Sequence, residues 1–266
     1  MNSPSDASSV PHLKNAVGWI FREQRAVWLV LALLLTGDVI YFGLHFSAWM
    51  AGAANELMYI DVDRGFAEFF QYIKFVYIIV LVLACALAQR SWQIALWVPV
   101  FGFLLLDDSL QLHERFGGIL VDSVGLPSVL GLRAQDVGEL LFVAAAGVVL
   151  LVPLILGYLK GTWVSKPVYV IFAALTAMLG VVGVGMDMVH EVVSLFYTGP
   201  DFMSALEDGG EMLVVSLMAA FAIRLNVRGG EAGLPSPVRQ DTSAPQAPQD
   251  AAPAPGATPR RAASGD

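Results

Sequence analysis

Two stretches of the chain put acids and a histidine where an apolar run would exclude them: Asp187-Met-Val-His190-Glu191, then Glu207-Asp208-Gly209-Gly210-Glu211-Met212-Leu213. At about 100° per helical residue, Asp187, His190 and Glu191 fall in one narrow arc, and Glu207 and Glu211 in another. The pattern recurs upstream. His113-Glu114 repeats His190-Glu191, and Gln135-Asp136-Val137-Gly138-Glu139-Leu140-Leu141 repeats the 207–213 segment with the Asp, the second Gly, the Glu and the final Leu identical. A fainter third copy opens the chain, with Asp38 and His45 followed by Asp63 and Glu68. Each copy offers one His (His45, His113, His190) and one Glu (Glu68, Glu139, Glu211), and Asp107 and Asp108 precede His113.

Imidazole and carboxylate together suit zinc, iron or manganese, and helical bundles hold such ions with Glu and His projecting inward from facing helices. The candidate ligands of a divalent metal are His45, His113, His190, Glu139, Glu211, Asp107, Asp108, Asp187 and Glu207. Glu114 and Glu191, beside the repeated histidines, are the candidate catalytic bases for a metal-bound water. Carboxylates at this density cannot all ionise unpaired in a low dielectric, so protons or a metal cation must neutralise them. Asp136 and Asp208 have a second reading as helix N-caps, with the neighbouring glycines serving close helix packing. A histidine near the end of an apolar run reads equally as a hydrogen-bonded interfacial residue, His45 above all.

The elements that must position these groups follow from composition. Apolar residues make up 56% of the chain and charged residues 14%, and the apolar residues come in runs of bilayer-spanning length. The expected fold is all-α: a polytopic membrane protein of six transmembrane helices arranged as three hairpins, with spans 3–4 and 5–6 as an internal repeat and spans 1–2 as its fainter copy. The spans run near 26–50, 66–88, 92–117, 136–158, 168–196 and 203–223. Residues 1–25 read as a polar cytoplasmic segment with the spacing of a surface helix, and 26–228 as the transmembrane domain. Residues 229–266, rich in Pro, Ala, Ser, Gln and Gly, read as a disordered cytoplasmic tail. The single cysteine, Cys85, excludes an intramolecular disulfide and a Cys-rich metal site.

Lysine and arginine mark the N-terminal segment, Arg90, Lys160 with Lys166, and Arg224 with Arg228, which places those connections and both termini in the cytoplasm and the protein in the plasma (inner) membrane. The acids then fall in the outer half of every span. At 1.5 Å per residue Asp107 lies roughly 24 Å from the inner end of span three, and Glu211 about 10–12 Å from the outer end of span six. Ionisable residues at such depth face the bundle interior or a water-filled cavity with partners.

The inventory of His, Asp and Ser within helices resembles that of intramembrane zinc hydrolases such as alkaline ceramidases and adiponectin receptors. That resemblance implies that lipid amide or ester hydrolysis is possible in such a place, although the seven spans and paired His-x-x-x-His of those families are absent from this chain. The expected function is a metal-dependent membrane hydrolase or oxidase acting on a lipid-like substrate from the outer leaflet, with membrane lipid and not nucleic acid as its surroundings. Two other classes stay open: a cation or proton transporter, and a structural or sensory membrane protein whose polar cluster fixes packing.

Overall fold

A segment inside a bilayer must satisfy its own backbone N–H and C=O groups, and each apolar run here does so as a helix. The computed structural model describes residues 25–52, 55–129, 132–161, 165–194 and 202–231, with the side chains of 187–194, 202–204 and 228–231 outside the described residues. The expected N-terminal segment and tail also lie outside them. The described secondary structure is helical, with α1 (Arg25–Ala51), α2 (Phe66–Ala88), α3 (Trp97–Leu110), α4 (Leu112–Val124), α5 (Ala134–Leu159), α6 (Ser165–Ser194) and α7 (Phe202–Glu231) as its long elements. A single turn, Trp92–Ala95, leads into α3; Ser91 caps it, accepting the Ile94 N–H at 3.4 Å. Among the described residues six stretches are long and apolar enough to cross a membrane: α1, α2, Trp92–Leu110, α5, and most of α6 and α7.

Two of the three expected hairpins pack closely, α4 on α5 and α6 on α7, while the first does not. The last span, α7, is the hub, packed by α1, α2 and α6, while α1 barely touches its expected hairpin partner α2. Nearly complete burial of Phe75, Ile78 and Val82 on α2, Trp97 and Phe101 on α3, Phe172 on α6, and Val215, Met218 and Ala222 on α7 forms the main core. Aromatic rings dominate it: Phe101 and Phe172 meet edge to face with centroids 5.0 Å apart, and Phe172 meets Phe221 at 4.8 Å. Edge-to-face pairs of this kind add to the apolar burial.

Span three is not one helix. Gln111 takes a left-handed conformation (φ 51°, ψ 50°), which ends α3 and starts α4. The expected face shared by Asp107, Gln111 and Glu114 is therefore broken at its middle residue. In the other half of the sequence repeat α6 continues as one helix through Ser194, so matched sequences sit in different backbones.

Helix α5 stands apart for a reason visible in its glycines. At its start Gly138 lies on Gly117 of α4, where a Cβ would strike the Gly117 carbonyl. At its end Gly157 leaves room for Leu96 and Tyr169; a Cβ there would sit 2.7 Å from Leu96 Cδ1. Small residues let helices approach this closely. Between those anchors no α5 residue is buried, and α5 packs only lightly on α3 and α6.

Candidate functional site

The gap left by α5 is a cavity of about 1180 Å³. It is lined along α5 from Asp136 to Leu154, a distance of roughly 27 Å at 1.5 Å per residue. One end is acidic: eleven lining residues are Asp or Glu, against one arginine and one histidine. The rest is apolar, with Leu104, Val143, Leu151 and Leu154 on its walls. Small exposed residues, Ala144 and Gly147 on α5 and Ala173, Ala177 and Gly180 on α6, leave it open at the side. A Cβ added at Gly147 or Gly180 would meet nothing within 4 Å.

At the acidic end Gln71 of α2 donates its amide to two carboxylates, Asp108 Oδ2 at 3.3 Å and Glu211 Oε2 at 3.2 Å. An amide NH₂ thus occupies the space between two acids, where a cation would be favoured. The Glu211 carboxylate rests against Gly183 of α6, and the charges of Asp107, Glu68 and His113 act on it. Glu139 leaves α5 over Gly117 and accepts from Gln135 Nε2 at 2.8 Å; Gln135 also binds the Glu114 carbonyl at 2.8 Å. Glu207 and Asp208 line the same cavity. The repeated Gly-Glu pairs therefore share one trait, since Glu139 and Glu211 each lie against a glycine of a neighbouring helix.

Asp107 has two tasks. Its Oδ1 accepts the His113 backbone N–H at 2.9 Å, capping α4 after the break at Gln111, and its Oδ2 lies 3.2 Å from His113 Nδ1. That hydrogen bond, opposed in part by burial and reinforced by the nearby acids, lifts the His113 imidazole from its ordinary 6.5 to about 9. His113 is thereby biased toward its imidazolium form, and a metal would have to displace a proton to bind the ring. Glu114 sits beside it at the rim with half of its side chain exposed.

His45 is set apart from this assembly. Its buried Nδ1 accepts the Ile60 N–H at 3.1 Å, fastening the connection between α1 and α2, and its ring packs edge-on against Phe46 and Tyr59. Asp61 approaches the same nitrogen at 3.6 Å. An accepting Nδ1 carries no proton, so that approach is not an ion pair. Asp136 is not the N-cap anticipated from the sequence: Arg133 takes that position, and Asp136, in the first turn of α5, accepts the Arg133 N–H at 2.8 Å and pairs with the Arg133 guanidinium at 2.8 Å. Asp208, more than a turn inside α7, is not at a helix end. Asp187, His190 and Glu191 fall on α6, but their side chains lie outside the described residues. Among the described residues no three His, Cys, Asp or Glu side chains are disposed to hold a metal ion, so the expected single metal centre is not formed by them.

A second polar cluster was not anticipated. Lys74, 1% exposed, donates to Asp38 Oδ1 at 2.9 Å, to the Met212 carbonyl at 2.9 Å and to Ser216 Oγ at 3.3 Å, and Ser216 Oγ donates to Asp38 Oδ2 at 2.6 Å. All three ammonium protons and both carboxylate oxygens are used, and the ammonium also lies over the Phe70 ring. This cluster ties α1, α2 and α7 together. Its sequence signal was a single lysine inside an apolar run, which demands a partner in a membrane.

A family model described as "Domain of unknown function (DUF8692)" matches residues 26–225. No curated protein and no solved structure matches the chain. The match begins beside the first residue of α1 and ends in the last turns of the hub helix, so it covers the cavity and the Lys74 cluster alike, and the chain belongs to the DUF8692 family, a domain of unknown function.

Proposed function

We propose that this membrane protein binds a long-chain, cation-bearing amphiphile in the cavity beside α5. One observation carries the reading: a single cavity joins an acidic end to an apolar groove that is open at the side. Carboxylates such as Asp108 and Glu211 attract a positive group and bind it through charge-assisted hydrogen bonds, with Gln71 turning aside. The groove removes a hydrocarbon chain from contact with other lipids, and its length suits one chain rather than a compact solute. Ion transport is less well supported, because among the described residues no chain of carboxylates continues past the acidic end.

Octadecylamine binding to the purified protein in lipid nanodiscs tests this reading, with octadecanol as the uncharged control. The amine should bind and the alcohol should bind at least about tenfold more weakly, the value of one charge-assisted hydrogen bond. Gly180→Leu, at a position where a Cβ meets nothing within 4 Å, puts a side chain into the groove and should weaken the amine about tenfold or more by displacing several methylenes. No saturable binding of the amine to the wild-type protein would overturn the proposal.

A metal-dependent reaction on such a molecule, as a hydrolase or oxidase, is the second reading. The register of α6 favours it: Asp187 and Glu191 continue the stripe of Gly180, Gly183 and Val184, which line the cavity. The lysine and arginine bias of the alternate connections supports both termini in the cytoplasm of a plasma-membrane protein, with the acidic end outside. Reporter fusions after Arg90 and Lys160 should then read cytoplasmic; an external signal at either refutes that orientation.

A further inference from the structure

The acidic end of the cavity is arranged around a nitrogen that carries its own protons. Asp108 Oδ2 on α3 and Glu211 Oε2 on α7 both lie within 3.3 Å of one atom, Gln71 Nε2, so carboxylates from two helices converge on a point where an N–H donor already sits. Gln71 is 5% exposed, and its amide NH₂ has one proton for each oxygen. The remaining oxygens, Asp108 Oδ1 and Glu211 Oε1, accept no hydrogen bond among the described residues, yet neither is sealed off, since neither belongs to the polar atoms that are both buried and without a partner. The Asp208 carboxylate, three residues before Glu211 on α7, lines the same end and is open in the same way.

A cation without N–H protons finds little to hold it there. Quaternary ammonium groups are recognised by cages of aromatic faces. Among the described lining residues the Phe, Tyr and Trp rings are Phe75, Trp97 and Phe103; the first two are 1% exposed, which leaves Phe103 alone to present a face. One ring is not a cage. We infer that the cationic end of the amphiphile is a primary ammonium or a guanidinium, donating to Asp108 and Glu211 in place of the Gln71 amide, and that these two carboxylates select it over a quaternary ammonium. A positive donor makes charge-assisted hydrogen bonds stronger than those of the neutral amide, so the exchange favours the ligand. The inference rests on the amphiphile reading above and narrows its headgroup from any cation to one with several N–H donors.

Three probes of one chain length and one charge test it in nanodiscs at neutral pH, compared at equal mole fraction in the bilayer. Charged octadecylamine offers three N–H protons, charged N,N-dimethyloctadecylamine one, and octadecyltrimethylammonium none. The wild-type protein should bind them in that order, weakening by about tenfold for each hydrogen bond lost. Asp108→Asn and Glu211→Gln keep side-chain size and should each shrink the gap between the primary and quaternary probes by about threefold or more, because a carboxamide oxygen accepts more weakly than a carboxylate. If neither variant folds, the wild-type series decides alone. Failure of all three probes to bind saturably would defeat the amphiphile reading itself. Saturable binding with equal affinity for octadecylamine and either methylated probe, or a preference that both variants leave unchanged, would overturn this inference and leave that reading standing.

Discussion

Removing one member of the Lys74–Asp38 pair should destabilise the fold far more than removing both. Lys74 is 1% exposed and Asp38 4%, and water reaches neither. In Asp38→Asn an ammonium keeps the Met212 carbonyl and the Ser216 hydroxyl but loses its counter-charge. Breaking a buried pair in this way costs about 3–5 kcal/mol. Lys74→Met leaves the Asp38 carboxylate with Ser216 as its hydroxyl donor, at a similar cost. The double variant Lys74→Met, Asp38→Leu removes both charges and should return to within about 1–2 kcal/mol of the wild type, since apolar replacement of buried ion pairs is often neutral. Ser216→Ala removes a neutral donor and should cost only about 1–2 kcal/mol. Because α1 has few contacts with α2, the single variants should also loosen α1 from the bundle. Reversible unfolding in bicelles measures the full cycle, and thermal melting in detergent offers a faster check, with the single variants lower by roughly 6–20 °C. Asp38→Asn within about 1 kcal/mol of the wild type, or a double variant as unstable as the sum of the singles, would refute the claim that the charges are held as a buried pair.

The His113 imidazolium gives a pH signature of defined sign. A folded-state value raised from 6.5 to about 9 contributes stability that is full below pH 6.5 and lost as pH rises through 9. At full burial that difference is worth about 3 kcal/mol, and with a third of the side chain exposed solvent screening reduces it to about 1–2 kcal/mol. Melting between pH 6 and 9.5 should therefore fall more for the wild type than for Asp107→Asn, and parallel curves would contradict it. For the metal reading, protein purified in detergent should retain about one equivalent of zinc, iron or manganese that His190→Ala loses, and chelation should lower the wild-type melting temperature by mass action. Wild-type protein with no bound metal, and a melting temperature indifferent to chelator and added metal, would end that reading.

What the sequence made legible was local. Apolar runs of bilayer length located the helices of every span but the third to within a few residues, because hydropathy and helix geometry are properties of the segment itself; the third ends at Leu110, not near Gly117. The gathering of Asp107, Asp108, Glu139, Glu207 and Glu211 around one cavity was also accessible, since intramembrane acids must face inward. Non-local choices were not. The His45 ring is taken by the backbone N–H of Ile60, a donor that every residue but proline carries, so nothing marked it as the partner. Gln111 ends α3 in a conformation that glutamine rarely adopts, stabilised here by Asp107 reaching forward to His113 and by Asp63 accepting the Gln111 amide at 2.7 Å. Packing of α1 on α7 rather than α2 depends on which faces fit. Lys74 is legible as a lysine between Ile73 and Phe75 that needs a buried partner, but among so many acids only the packing of α1, α2 and α7 selects Asp38.

The cavity itself argues for an occupant. An apolar groove open at the side is a surface that hydrocarbon can cover, restoring dispersion contacts its lining otherwise lacks. Collapse would be the alternative, yet α5 is fixed at both ends by Gly138 and Gly157 and cannot settle inward between them. Larger side chains would have closed the space cheaply, because Gly147 and Gly180 face nothing within 4 Å. The apolar part is thus shaped to take hydrocarbon entering from the side, as the proposed amphiphile requires. The question left for chemistry is which headgroup the carboxylates select: a neutral or zwitterionic lipid gains little from Asp108 and Glu211, whereas a cationic one gains charge-assisted hydrogen bonds at the end where Gln71 now holds the two acids together.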